Sequence, residues 1–209
     1  MGLQRWWDAR ILPRLVEKAC RSHAILDDRR RWVPEARGHV LEVGVGSGLN
    51  LAFYDPARVV DLIGVDVSAP LLARAAPRAT AAPVPVSLVI GDAERLAFDR
   101  GRFDTVLVTY TLCSVGDLAA ALGELHRVLR ADGQLVVIEH GASPVATTRR
   151  WQQRITPVWR RLGGNCHLDR DVPAAIAAAR FATSDLISGD EDGPRWMSYT
   201  TRGIARPRA

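Results

Sequence analysis

His39-Val40-Leu41-Glu42-Val43-Gly44-Val45-Gly46-Ser47-Gly48-Leu49-Asn50 is the stretch on which the reading of the fold turns. Its first five residues form a short, almost wholly apolar run, the pattern of a strand buried on both faces. Three glycines at alternate positions follow. Glycine permits a tight turn and lets a ligand come close to the backbone, and a purely structural turn accounts for one such residue but hardly for three. The spacing is G-x-G-x-G. Leu49 stands where the dinucleotide fingerprint G-x-G-x-x-G has its third glycine, which weighs against a nicotinamide cofactor.

Outward from this loop the pattern repeats. Leu62–Val65, Val86–Ile90, Thr105–Thr109 and Leu135–Ile138 are further short apolar runs. Helix candidates lie between them at about 48–53, 69–79 and 117–129. The second has Ser68 as an N-cap with Pro70 just inside, and the third follows Asp117. Alternating strands and helices predict a parallel sheet with helices on both faces. The tail departs from this alternation. Residues 149–162 and 172–180 read as helices, then Phe181–Ile187 and Trp196–Ala205 as two strands whose short connection makes them antiparallel.

Two acids stand at the ends of the next strands. Asp66 closes the second, where a carboxylate accepts ribose hydroxyls. Asp92, in Gly91-Asp92-Ala93-Glu94, closes the third, where a carboxylate or backbone group reads an adenine amino group. Glycine loop and acids share the carboxyl edge of the sheet, where open parallel sheets bind their ligands. Together they specify an adenosine-containing cofactor.

The chain has 209 residues, 47% hydrophobic and 24% charged, which suits one globular core. Net charge is +5, almost all of it from arginine, with Lys18 the only lysine. The basic runs Arg29-Arg30-Arg31-Trp32 and Arg149-Arg150-Trp151, with Arg160-Arg161, are short and helically spaced. Nucleic acid is therefore not an expected partner, and an anionic substrate or membrane surface is the better use of the charge. Cys20, Cys113 and Cys166 are few, odd in number and far apart. That points to a reducing, cytoplasmic setting and away from a metal cluster. No apolar run is long enough to span a membrane, and residues 1–8 lack an apolar leader core. Residues 3–31, with Trp7, Ile11, Leu15 and Cys20 on one face, predict an N-terminal helical cover, with a lid or a membrane-surface helix as the functional alternatives.

On these residues the chain resembles class I S-adenosylmethionine-dependent methyltransferases of the type 11 group. Val40–Gly48 looks like their first motif, Asp66 their ribose-binding acid and Asp92 their acid near adenine. Arg127-Val128-Leu129-Arg130-Ala131-Asp132-Gly133-Gln134-Leu135 looks like their helix-to-strand turn, with Ala-Asp-Gly where Pro-Gly-Gly is usual. A narrower resemblance is to the alkyl-thiol S-methyltransferases of animals and their bacterial relatives. It rests on Gly48-Leu49-Asn50-Leu51, Phe53-Tyr54, Leu112-Cys113-Ser114-Val115, Glu139-His140, Trp151-Gln152-Gln153, Pro157-Val158-Trp159 and Gly164-Asn165-Cys166-His167-Leu168. The animal members carry an apolar N-terminal anchor, whereas this chain begins with Trp6-Trp7 and charged residues. Bacterial phosphatidylethanolamine N-methyltransferases share the loop style and match the tail less well.

The resemblance implies a single α/β domain: a Rossmann-like, seven-stranded, mostly parallel sheet with an antiparallel last strand and helices on both faces. Residues 1–37 would form an N-terminal helical cover, 38–140 the cofactor-binding core, and 141–209 the acceptor-side helices and final hairpin. It implies S-adenosyl-L-methionine as methyl donor, S-adenosyl-L-homocysteine as product and a small-molecule acceptor, first of all a thiol. N- or O-methylation of a lipid head group or quinone, and a non-catalytic binding module, stay open. An arsenite methyltransferase, prompted by the cysteines, lacks the close cysteine pairs it would need. Glu42, Gly44, Gly46, Ser47, Gly48, Asn50, Asp66, Val67, Asp92, Ala93, Thr109, Tyr110 and Leu112 are the implied donor-site residues. Cys113, Asn165, Cys166 and Arg170 fall on the acceptor side. A thiol acceptor reacts as its thiolate, so His140 and His167, whose side chains titrate near neutrality, are the catalytic candidates. Methyl transfer from a sulfonium needs no metal, and none is expected. Trp151 and Trp159 are read as core anchors, and His23, His39 and His126 as structural or surface residues.

Overall fold

The computed structural model describes Ile11, Leu12, Glu17 and residues 23–208. Most of the expected N-terminal cover, with Trp6, Trp7 and Cys20, lies outside the described residues. Its described part is helix α1 (His23–Trp32), which runs into a 3-10 turn at Val33–Glu35.

Five parallel strands follow: β1 (Gly38–Val43), β2 (Val59–Asp66), β3 (Val86–Ile90), β4 (Phe103–Thr109) and β5 (Leu129–His140). Helix α2 (Ala69–Thr80) links β2 to β3, and α3 (Leu118–Val128) links β4 to β5. Their starts are as the sequence predicts. Ser68 Oγ accepts from the Leu71 amide at 3.4 Å, and Asp117 Oδ1 accepts from Ala119 and Ala120 at 3.0 Å each, so both helices open on amides that a side chain satisfies. The helix expected at 48–53 does not form. That segment is a chain of tight turns, with Leu51 N bonding Gly48 O and Phe53 N bonding Asn50 O. Gly48, Asn50 and the close approach of Tyr54 to β1 favour turns over a regular helix there.

The sheet order is β3-β2-β1-β4-β5, with the strands of the tail beyond β5. Both faces are covered, and the alternation along each strand shows it. On one face Leu41, Val43, Val106, Val108, Leu135 and Val137 pack with Leu122 and Leu125 of α3. On the other, Val40, Leu107 and Val136 pack with Leu51, Tyr54, Leu62 and Leu72. The near-continuous apolar runs are what strands buried on two sides require.

In the tail, α4 (Ala146–Leu162) and α5 (Val172–Ala178) precede β6 (Phe181–Ala182), β7 (Leu186–Asp190) and β8 (Tyr199–Pro207). β8 is antiparallel to β5 on one side and to β6 and β7 on the other. The strand expected over 181–187 is thus in two pieces. Between Ala182 and Leu186 it advances one residue more than β8 does between Gly203 and Arg206, and the extra residue breaks the pairing. Eight strands therefore fill seven positions. Trp159 packs edge-to-face on Trp196 at 5.2 Å, but Trp151 is 54% exposed and is not the core anchor expected of it. Its neighbour Gln152 takes the inward position instead, bonding Ser143 N at 2.9 Å and Gly141 O at 3.1 Å.

Candidate active site

The strand order reverses between β1 and β4, and a cleft of about 490 Å³ opens there at the carboxyl ends of β1 to β4. This is the switch point at which parallel sheets bind ligands, and the size suits a nucleoside-bearing molecule.

The glycine loop forms its floor. Gly44 (φ +75°) amide bonds to Val65 O at 2.8 Å, and a Cβ on it would meet Thr111 Oγ1 at 2.0 Å. Glycine is required there by the fold. Gly46 (φ +55°) differs. A Cβ on it would meet nothing closer than Gly44 O at 3.9 Å, so the space above it belongs to the cleft. Asp66 holds this loop in place. Its two oxygens accept from Gly46 N at 2.9 Å and Ser68 N at 2.8 Å. Burial pushes its carboxyl up from the usual range, and the two amides pull it back only partly. Arg78, on α2, supports the loop from below by donating to Ser47 O at 2.6 Å. Arg78 and Arg74 in turn clasp the buried Glu17, which also borders the cleft.

Across the cleft, Val67 and Ala93 present apolar surface on either side of the space above Asp66 and Asp92. Asp92 Oδ1 accepts from Glu94 N at 3.0 Å, and Glu94 Oε1 accepts from Gly116 N and Asp117 N at 2.7 and 2.9 Å. These bonds lock the loop after β3 to the loop after β4. Glu94 was not singled out in the sequence, although it stands two residues after Asp92 in the same motif.

A second missed residue is Arg29. The sequence placed it in a basic surface run, yet it is 4% exposed and borders the cleft. Its guanidinium donates to Asn50 Oδ1 and, at 3.3 Å, to Thr109 Oγ1, while its Nε has no partner among the described residues. Behind it Asn50 Nδ2 donates to Glu42 Oε1 at 2.8 Å and to Thr109 Oγ1 at 3.0 Å, and Tyr54 donates to Glu42 Oε2 at 2.8 Å. Glu42 is fully enclosed. Burial pushes its carboxyl up to about 7 against the pull of Tyr54, Asn50 and Arg29. The available signal was spacing, since Ile25, Arg29 and Trp32 share one helical face and put a cation in an apolar stripe.

Of the donor-site residues read from sequence, Gly44, Gly46, Ser47, Asp66, Val67, Asp92, Ala93, Thr109 and Tyr110 line the cleft. Glu42, Gly48, Asn50 and Leu112 do not. Glu42 and Asn50 form the network that holds Arg29 and Thr109, Gly48 packs on Leu51 and Ala75, and Leu112 is buried in the core.

The acceptor-side and catalytic candidates gather, but behind the cleft wall. Tyr110 stands at φ +53°, a conformation rarely held by a residue with a side chain, and its ring stacks 6.2 Å from that of His140. His140 is 4% exposed. Its Nε2 lies 3.2 Å from Cys166 Sγ, and its Nδ1 has no partner among the described residues. The hydrogen bond from Cys113, then that from His140, holds the Cys166 thiol down at about 4 despite burial. Burial depresses His140, but the Cys166 and Glu139 charges raise it by more. His167 is apart from this pair. Its amide donates to Cys113 O at 2.8 Å, and burial, then Arg170 and Arg160, lowers its ring. Asn165 and Arg170 use their donors on the loop after β4. Asn165 Nδ2 bonds Ser114 O at 2.9 Å, and Arg170 bonds Leu112 O and, at 2.7 Å, Val115 O. Both side chains hold the loop after β4 in place. Cysteines that sequence spacing kept apart are brought together here. Cys113, His140 and Cys166 place one ligand-type atom each within 4.8 Å of the others, which corrects the expectation of no compact ligand cluster.

A family model described as a methyltransferase domain matches residues 41–137, the span from the glycine loop to β5. A demethylmenaquinone methyltransferase of Thermus thermophilus is 33% identical over 180 residues, covering 80% of this chain and 82% of the relative. The chain belongs to the methyltransferase family. Human thiol S-methyltransferase TMT1A is 32% identical over 168 residues, covering 73% of this chain and 64% of the relative. In fold, this methyltransferase matches a Bacillus halodurans C-125 protein with a TM-score of 0.70 at 18% identity, over 87% of this chain and 100% of the other. Its methyl donor is S-adenosylmethionine, and the residues present fit that molecule. Gly46 leaves a cradle that a side chain would fill, Asp66 and Asp92 would face the sugar and base, Val67 and Ala93 would offer apolar surface to a flat ring, and Arg29 Nε, without a partner among the described residues, would take an anion. Among the described residues no helix is long and apolar enough to cross a membrane.

Proposed function

We propose that this methyltransferase methylates the sulfur of a small thiol. The observation that carries the reading is the make-up of the far end of the cleft. Leu12, Tyr110, Ser114, Val115, Gly163 and Gly164 line the cleft there, most of them apolar or without a side chain, and the imidazole of His140 stacks 6.2 Å from the Tyr110 ring. A small apolar acceptor such as an alkyl thiol fits such a lining. The likeness to a thiol S-methyltransferase over 73% of this chain supports the same acceptor.

The donor supplies a methyl group activated on a sulfonium. This chain's part is to hold the two reactants in line and to keep water out. Gly46, Ser47 and Asp66 seat the nucleoside, Asp92 and Ala93 take its base, and Arg29 meets the carboxylate of the amino-acid end. Tyr110 and Thr109 form the wall beside the methyl. His140 supports that wall from behind, its ring stacked on that of Tyr110. Cys113 and Cys166 are free thiols, which supports the reducing, cytoplasmic setting.

A second reading is a quinol acceptor, favoured by the relative from Thermus thermophilus that the chain matches over 82% of its length. Transfer of labelled methyl to a panel of small alkyl thiols, a demethylated quinol and phosphatidylethanolamine vesicles separates the two. Methylated thiol with kcat/KM well above that for the quinol supports the first, and transfer to quinol or lipid with none to any thiol overturns it.

A further inference from the structure

We infer that Cys113, His140 and Cys166 form a binding site for one thiophilic divalent cation of the zinc class. Two thiols and an imidazole converge from three separated segments: the loop after β4, the end of β5 and the loop after α4. All three residues are buried, at 3%, 4% and 8% exposure. Their ligand atoms lie within 4.8 Å of one another, and Cys166 Sγ is already 3.2 Å from His140 Nε2. In a tetrahedral site with Zn–S of about 2.3 Å and Zn–N of about 2.0 Å the ligand atoms stand roughly 3.5–3.8 Å apart, so small side-chain rotations close the set. Two sulfurs and one imidazole nitrogen are a donor set that selects zinc over magnesium or calcium.

Two further features fit a cation here better than a bare thiol pair. A disulfide between Cys113 and Cys166 would give His140 no role, whereas a cation uses its Nε2. The carboxyl group of Glu139 is enclosed in the same region, and its Oε2 has no hydrogen-bond partner among the described residues. Three protein ligands leave one tetrahedral position open, as in sites where zinc engages an outside ligand. Ser114 and Tyr110 border both the cleft and the cluster, since Ser114 Oγ is 3.4 Å from Cys113 Sγ and Tyr110 stacks on His140. The site therefore adjoins the acceptor end, though it does not depend on which acceptor is methylated.

The test is metal binding by the full chain, reduced and stripped with a chelator, then titrated with Co(II) and with Zn(II). One equivalent of Co(II) is expected to bind, with thiolate charge-transfer absorption and d–d bands of tetrahedral intensity, and Zn(II) should displace it. Loss of an outer partner of a zinc ligand weakens binding 10–100-fold, so Cys113→Ser, Cys166→Ser and His140→Ala should each weaken Zn(II) binding by about 100-fold or more. Circular dichroism of each variant checks that it is folded. Should a cysteine variant fail to fold, His140→Gln with the wild-type Co(II) spectrum decides alone. No stoichiometric uptake by the reduced wild type, or uptake unchanged in Cys113→Ser and Cys166→Ser, overturns the proposal.

Discussion

Alanine at Gly46 tests whether a ligand passes over the loop, because the structure separates that effect from the stability of the loop itself. At φ +55° a residue with a side chain sits in the left-handed region, which costs about 1–2 kcal/mol. Nothing crowds the new methyl, since its nearest neighbour would be Gly44 O at 3.9 Å. For a chain of 209 residues each 1 kcal/mol moves Tm by about 2–4 °C, so Gly46→Ala should lower Tm by roughly 2–8 °C. Its effect on the donor should be disproportionate, because the methyl points into the cleft. Overpacking by a methyl group costs about 1–3 kcal/mol, which is roughly a 5–140-fold rise in Kd. Gly44→Ala is the control. Its Cβ would stand 2.0 Å from Thr111 Oγ1, and Thr111 is itself bonded to Val43 O, so strain and clash add to about 2–5 kcal/mol of stability. Calorimetric titration with S-adenosylhomocysteine, alongside thermal melts, reads both quantities. A Gly46→Ala protein that melts lower but binds with wild-type Kd would refute the placement of the donor over this loop.

Other outcomes follow from the same geometry. Arg29→Leu should weaken S-adenosylhomocysteine roughly 10–100-fold by loss of a charge-assisted hydrogen bond, yet leave 5′-methylthioadenosine, which lacks the carboxylate, nearly unchanged. Equal losses for the two ligands would remove Arg29 from the carboxylate. Glu42 carries a pH signature. Its folded carboxyl titrates near 7 against 4.5 in the ordinary state, so the folded chain keeps a proton that the unfolded chain releases. Stability therefore falls as pH rises from about 4.5 to 7, by about 3 kcal/mol in all. Glu42→Gln should cancel that slope, and denaturant melts that give a pH-independent difference between variant and wild type would contradict it. Asp66→Ala removes both the acceptor of Gly46 N and the sugar-facing acid, and should weaken donor binding at least tenfold, with Asp66→Asn losing less. Leu107→Ala, at a fully buried position on β4, should cost about 2–5 kcal/mol in urea melts without altering donor Kd in the protein that stays folded.

Local pattern made most of the fold legible. Val40–Val43, Val86–Ile90 and Thr105–Thr109 read as strands because burial on two faces leaves little room for polar residues. Ser68 and Asp117 read as helix starts because their side chains cap amides within three residues. What failed was local pattern without local cause. Turns replaced the helix at 48–53 because Asn50 and the adjoining Tyr54 are held by distant partners, Glu42 and Thr109. The donor half of the site was visible because its residues lie on consecutive strand ends, each with its own short motif. The rest depended on separations no motif spans. Arg29 looked like one of three surface arginines until α1 was packed against Asn50 and Thr109. Cys113 and Cys166, 53 residues apart, meet only because α4 and its following loop return to the end of β5.

The position of β8 bears on how the molecule is made. This strand comes last in sequence order, yet it is paired along both edges, and β6 and β7 bond to nothing else in the sheet. The chain through β8 must have emerged from the ribosome before the outer half of the sheet can assemble. Until then the edge of β5 from Leu135 to His140, wholly enclosed in the finished protein, is a bare template for any passing strand. Synthesis thus carries a late window of vulnerability to aggregation, which closes when the final strand slots in.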